Sequence, residues 1–280
     1  MDIKINPNKE ILFCANVCSL LTNIDTVGEK VADLVEKQDF LTKFTKIRSI
    51  DGITSGENAQ ALIIHCRYPD NMNVHNIYVV FRGSGMFERE KWIMDNRPEL
   101  MKMMLNGPFQ PENIMVHSGL LRMYRSVQME LRRIAKEAPP LTRFIMSGYG
   151  TGAALARLAA LDIAWNTRLD PYRLDAIVKT ITFATPVFAN KEFQELSKSI
   201  CKGGDISIAG AEDPLCHIPV IDTRFRCCDK TRWIKQLTVG SGEVYSINPP
   251  IKRSWGIFKL PLDIKDHGIE RILIHLRTLV

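Results

Sequence analysis

Apolar residues recur along the chain at two different periods, and the change of period divides it. From about Asn8 to Phe44 they fall at Ile11, Leu12, Ala15, Val17, Leu20 and Leu21, then at Val27, Val31, Leu34 and Val35. This spacing predicts two helices separated by a turn at Asn23-Ile24-Asp25, an N-terminal helical cover over residues 1–55. From Gln60 the pattern shortens. Ala61–Tyr68 and Asn76–Arg82 read as strands joined by the polar stretch Pro69–His75. Between Pro98 and Pro111, methionines followed by prolines and asparagines suggest a helix and then an irregular loop. A longer helix opens at Val116–Leu121, runs through Tyr124, Val127, Leu131 and Ile134, and ends at Pro139-Pro140.

Strand-like and helix-like segments then alternate. Phe144–Gly148 is strand, Gly152 to about Trp165 helix, Ala176–Phe183 strand, Lys191–Cys201 helix and Asp205–Gly210 strand. The strands are almost continuously apolar, which fits burial on both faces. Together these features predict an α/β fold, with a mostly parallel central sheet and helices on both faces. No linker or repeat divides it, so residues 1–280 are expected to form a single domain with its core at 60–280. The part beyond Gly210 is less regular until a periodic helix at Ile269–Val280.

Composition narrows the functional classes. An apolar share of 45% and a charged share of 24% are ordinary for a globular protein. The net charge of +6 is scattered, with Arg132-Arg133 and Lys252-Arg253 its densest clusters. No stripe or module of a nucleic-acid binder is present, so no nucleic-acid partner is expected. Attraction to anionic lipid head groups, as a peripheral membrane contact, stays open. No apolar run reaches the ~20 residues that span a bilayer. The residues after Met1 lack the apolar core of a secretory signal, so a cytoplasmic location is expected. Seven cysteines leave at least one thiol unpaired, and buried free thiols are the better reading. Cys216-His217 with Cys227-Cys228 fits no zinc spacing, and neither metal nor cofactor is expected.

The candidate chemistry gathers where strands end in glycine. Phe144–Met146 runs into Ser147-Gly148-Tyr149-Gly150-Thr151-Gly152, and an Ala/Leu-rich segment follows at once. That is a strand, a tight turn and a buried helix. Another strand breaks at Arg82-Gly83-Ser84-Gly85. Met86, Phe87 and Trp92 follow, mixed with charges, either as an amphipathic helix over a pocket or as an ordinary surface helix. His117 beside a helix start reads as structural.

Several of these pieces, in this order, resemble the fungal-type, or class 3, lipase family, whose fold is the α/β-hydrolase fold. Phe81-Arg82-Gly83-Ser84 with Trp92 and Asp95 resembles its oxyanion strand and lid. Val116–Leu121 with Tyr124 resembles the helix before the nucleophile elbow, and Gly148–Leu161 the elbow and its helix. Thr182–Val187 with Asn190, and Glu212-Asp213-Pro214 with Pro219, resemble the segments leading to the acid. Asp266-His267 resembles the Asp-His near the C-terminus.

The resemblance implies Asp213 as triad acid and His267 as base. It implies an oxyanion hole at the Ser84 and Thr151 backbone N–H groups, and a lid around Met86, Phe87 and Trp92. The nucleophile position falls on Gly150, where the elbow pattern G-x-S-x-G has serine. Tyr149, Thr151 and Ala153 also replace the usual histidine, leucine and glycine.

Glycine reaches the strained elbow backbone without a Cβ penalty, so Gly150 keeps the turn and removes the attacking oxygen. An oxyanion hole and binding alone leave ~10³–10⁴-fold over water in a triad enzyme, far below normal turnover. Two readings follow. One is a catalytically inactive pseudo-lipase that binds a protein partner or a lipid-like ligand. The other is a working lipase or carboxylesterase with a non-standard nucleophile: Thr151, Ser147 or a water activated by His267.

Overall fold

The computed structural model describes residues 7–21, 27–38, 42–51, 60–68, 71–83, 100–103, 105, 113–170, 176–210, 213, 216, 231–234, 244–245 and 268–277. In chain order the described elements begin with α1 (Pro7–Leu20), α2 (Val27–Glu36), β1 (Thr42–Asp51), β2 (Gln60–Tyr68), β3 (Asn71–Phe81), β4 (Leu100–Lys102) and β5 (Met115–His117). Then come α3 (Ser118–Glu137), β6 (Arg143–Tyr149), α4 (Thr151–Leu169), β7 (Ile177–Phe183), α5 (Lys191–Ile200), β8 (Asp205–Gly210), β9 (Thr231–Ile234), β10 (Val244–Tyr245) and α6 (Ile269–Arg277).

Eight of these strands form one sheet in the order β1-β2-β3-β6-β7-β8-β9-β10. The centre, β3 to β9, pairs in parallel. Each parallel step needs a crossover, and α3, α4 and α5 supply three of them. The edges are antiparallel: β1 on β2, β2 on β3, and β10 on β9. This is the α/β architecture that the alternation of periods predicts. No helix among the described residues is long and apolar enough to cross a membrane.

Side-chain alternation sorts the core into two layers. Ile63, Ile77, Val79, Phe144 and Met146 face α3, α4 and α5. Leu62, Ile64, Tyr78, Val80, Ile145 and Phe183 face α1, α2 and α6 on the other side. Helix α4 lies at the centre of the first layer. Its residues from Thr151 to Ala164 are all buried, Arg157 and Asp162 among them. Those charges are matched inside. Arg157 meets Asp205 at 2.6 Å and donates to Gln194 at 2.8 Å. Asp162 accepts two bonds from Arg132, at 2.8 and 2.6 Å, and one from the Tyr124 hydroxyl at 2.7 Å. An unpartnered charge at such depth would cost several kcal/mol.

Three sequence expectations need correction. The helical cover over residues 1–55 stops short, because Thr42–Asp51 is the edge strand β1. Its apolar residues, Phe44, Ile47 and Ile50, sit three apart, and its pairing is irregular between Thr42 and Lys46. The alternation that marks a strand is therefore absent from the sequence there. The helix expected after Pro98 is instead β4 at Leu100–Lys102, paired with β5. The connection read as Pro69–His75 is shorter, since Asn71–His75 already belongs to β3. Pairing with Arg67 and Tyr68 carries that polar run. The short strands β9 and β10 had no sequence signal of their own.

Candidate functional site

The corner between β6 and α4 is built from backbone in close contact with backbone. Gly150, between the two, has φ 59° and ψ −124°, a conformation that is strained for any residue with a Cβ. Its N–H donates to the Phe183 carbonyl at 3.0 Å, and its own carbonyl accepts from the Ala153 N–H at 3.0 Å. Glycines on either side leave no space for side chains. A Cβ on Gly148 would lie 2.3 Å from the Gly152 carbonyl oxygen, and one on Gly152 would lie 2.5 Å from the Phe81 oxygen. Past the end of β3, a Cβ on Gly83 would lie 2.5 Å from the Tyr149 oxygen and 3.8 Å from the Thr151 hydroxyl oxygen. The end of β3 thus abuts the turn and the first residue of α4.

Asp213 follows β8 and is 1% exposed. Its N–H donates to the Gly210 carbonyl at 3.2 Å and its carbonyl accepts from the Cys216 N–H at 3.3 Å, a turn at the strand's end. The elbow ends β6 and Asp213 follows β8, with β7 between them. Both therefore sit at the carboxyl edge of the parallel strands, two inter-strand steps or ~10 Å apart across the sheet. That edge is where open α/β sheets gather their ligand-binding residues.

The structure brings Gly150, Thr151 and Gly83 together and puts Asp213 on the same edge. Ser84, Met86, Phe87, Trp92 and His267 lie outside the described residues. Helix α6, which begins two residues after His267, packs in the same apolar layer as Phe183 and Ile208. It is joined to α1 by the Ser19 hydroxyl, which donates to Glu270 at 2.6 Å.

Other nucleophiles near the corner are committed elsewhere. The Ser147 hydroxyl is fully buried and donates to the Ile181 carbonyl at 2.6 Å. Cys18 lies 3.7 Å from it, and burial pushes that thiol up to about 12. Cys14 is pushed up as well, mainly by burial and then by the nearby Glu10 carboxylate. Thiols held protonated in this way are poor nucleophiles. His117 is buried in the short strand β5, its backbone N–H donating to the Phe188 carbonyl at 2.7 Å. Burial, helped by Arg122, lowers its imidazole to about 4, so it is neutral at physiological pH and part of the framework. Among the described residues no group of acidic, histidine or cysteine side chains could hold a metal ion.

The model of one family, Lipase (class 3), matches residues 78–223. The chain belongs to the class 3 lipase family. The matched stretch runs from β3 through the elbow to past Asp213. Among solved structures, lipase II from Rhizopus niveus is similar, with a TM-score of 0.65 at 20% identity over 95% of this chain and 94% of that one. The triacylglyceride lipase of Rhizomucor miehei has a TM-score of 0.60 at 18% identity, over 95% of this chain and 94% of its own. A triacylglycerol lipase whose catalytic centre is described as a serine protease triad gives 0.62 at 21% identity, over 93% and 92%. At these identities the likeness establishes that this member of the family has the fungal-lipase α/β-hydrolase fold. A search of curated proteins finds no match.

The sequence reading did not find the charged pairs under α4 or the bond that ties down Ser147. The Arg132–Asp162 pair had a partial signal, since both are charges inside otherwise apolar helical patterns. The Ser147 bond had none, because it depends on the register of β6 against β7.

Proposed function

We propose that this class 3 lipase is a pseudo-lipase. In this reading it binds a lipid-like ligand at the carboxyl edge of its sheet and does not hydrolyse it. Gly150 carries the proposal: it occupies the elbow with φ 59° and ψ −124° and offers no side-chain oxygen. A triad needs a hydroxyl that the histidine can deprotonate. Asp213 and His267 would keep their acid and base places, and the Ser84 and Thr151 N–H groups would still face a bound oxygen. Met86, Phe87 and Trp92 would cover the ligand. The commitment of Ser147 to the Ile181 carbonyl supports this reading over rescue by that serine. A ligand of lipid type is favoured over a protein partner because the fold is shared with triacylglycerol lipases.

A fluorophosphonate probe and short-chain esters test it. The chain should show neither labelling nor turnover, while Gly150→Ser should gain labelling that disappears again in Gly150→Ser/His267→Ala. Turnover by the unaltered chain that vanishes in His267→Ala would overturn the proposal in favour of an active esterase with an unusual nucleophile. Binding itself is read by displacement of a fluorescent fatty acyl probe. No binding of that probe would remove the lipid-like ligand from the reading.

A further inference from the structure

We infer that Asn76, on the side of the sheet covered by α1 and α2, holds an ordered internal water. Along this face β3 presents Val74, Asn76, Tyr78 and Val80, so one carboxamide interrupts an apolar and aromatic file. Asn76 is fully buried, and neither its Nδ2 nor its Oδ1 has a hydrogen-bond partner. Among the described residues it is the one side chain with both ends of an amide unpaired. Gln194, by comparison, accepts from Arg157 on its oxygen. A buried amide left in that state is costly, and native proteins rarely keep one.

The register of the sheet fixes its surroundings. Cys66 on β2 and Arg143 on β6 flank Asn76 across the strands. The next row on the same face, ~7 Å along the strands, is Ile64, Tyr78, Ile145 and Lys179. Glu10 of α1 closes over that row. It accepts from the Tyr78 hydroxyl at 3.2 Å and from the Lys179 ammonium at 2.5 Å. Long side chains thus carry that row up to the helix, whereas Cys66 and Asn76 are short and reach less far from the sheet. The difference in height accommodates a small molecule.

The polarity of the amide selects the occupant. A cation would satisfy Oδ1 alone and an anion Nδ2 alone, while water both donates and accepts. One water can do both at once, because the amide oxygen and the N–H on its side share an edge. Cys66 brings no charge, since burial pushes its thiol up to about 12. Its S–H and sulfur are weak hydrogen-bonding groups, a third contact for the water. Arg143 is only partly buried and has interactions of its own. Glu10 and Lys179 offset each other's charge. Water held here makes the seat of α1 a hydrated one, beside the bonds that fasten it.

A high-resolution crystal structure of the unaltered chain tests this. A water peak within hydrogen-bond distance of Nδ2 or Oδ1 is expected. In solution, the Asn76 side-chain amide should show cross-relaxation with a long-lived bound water. Asn76→Leu, which keeps the size and loses both polar ends, should lose the peak, and Cys66→Ala should keep it. An Asn76 amide bonded only to protein atoms, or one with no density beside it, would overturn the inference. So would anomalous scattering that identifies an ion there. A peak that survives Asn76→Leu, or disappears in Cys66→Ala, would overturn Asn76 as the residue that holds the water.

Discussion

Strand β6 is entered and left through the same backbone torsion, and its two ends resolve it in opposite ways. At the carboxyl end Gly150 has φ 59°, in a corner otherwise made of Gly148, Gly152 and Gly83. At the amino end Leu141 also has φ 59°, follows two prolines and points half-exposed toward solvent. In the proposed reading the first end had every reason to carry strain, because an elbow holds its nucleophile in a costly conformation. Glycine relieves it there. The other end has no such need, yet it carries a side chain that disfavours the turn. Strain is thus absent where an elbow nucleophile would carry it, and present at a leucine half exposed to solvent.

The corner's tolerance is the sharpest way to break that contrast. Gly148→Ala places a methyl 2.3 Å from one backbone atom and 2.4 Å from another, with no flexible side chain to move aside. Destabilisation of at least about 3 kcal/mol is expected, enough to lose most soluble folded protein. Chemical denaturation measures it. A cost below about 1 kcal/mol would mean that the corner is looser than its glycines imply, and the contrast between the two ends would fail.

Gly150→Ser sets a side chain on a backbone with φ 59°, a torsion that costs about 1–3 kcal/mol. Its effect on thermal unfolding separates two histories of the site. A cost in that range together with probe labelling would mean that the corner remains able to hold a nucleophile under strain. The same cost without labelling would mean that the surrounding groups no longer serve hydrolysis.

Much of this was legible in the sequence because the decisive residues are glycines in a fixed rhythm. Gly148, Gly150 and Gly152 mark a tight turn, and the apolar runs on either side identify a buried strand and helix. The fold followed from the same signal repeated at β7 and β8. Strand β1 was hidden because Phe44, Ile47 and Ile50 imitate helical spacing, and β4 because a three-residue strand has no period. Asp213 could be assigned only through family resemblance, since one acid before Pro214 reads equally well as a turn. Arg132 and Arg133 stand side by side in the sequence, and only their partners, buried Asp162 for one and surface Glu130 for the other, show that the two face opposite ways.

The smallest expected effect lies at the other end of β6. Leu141→Asn replaces a residue disfavoured at φ 59° with one that tolerates it, and removes an apolar side chain that is half in water. The turn itself is held independently, by the Thr142 hydroxyl donating to the Pro139 carbonyl at 2.6 Å and by the Ile177 N–H donating to the Thr142 carbonyl at 3.2 Å. The substitution should therefore leave the register of β6 and β7 alone and stabilise the protein by about 0.5–1 kcal/mol. For a chain of this size that is a rise of only about 1–3 °C in Tm, within reach of replicate calorimetry. A fall in Tm would mean that Leu141 packs usefully in the free protein and that its torsion is offset by contacts.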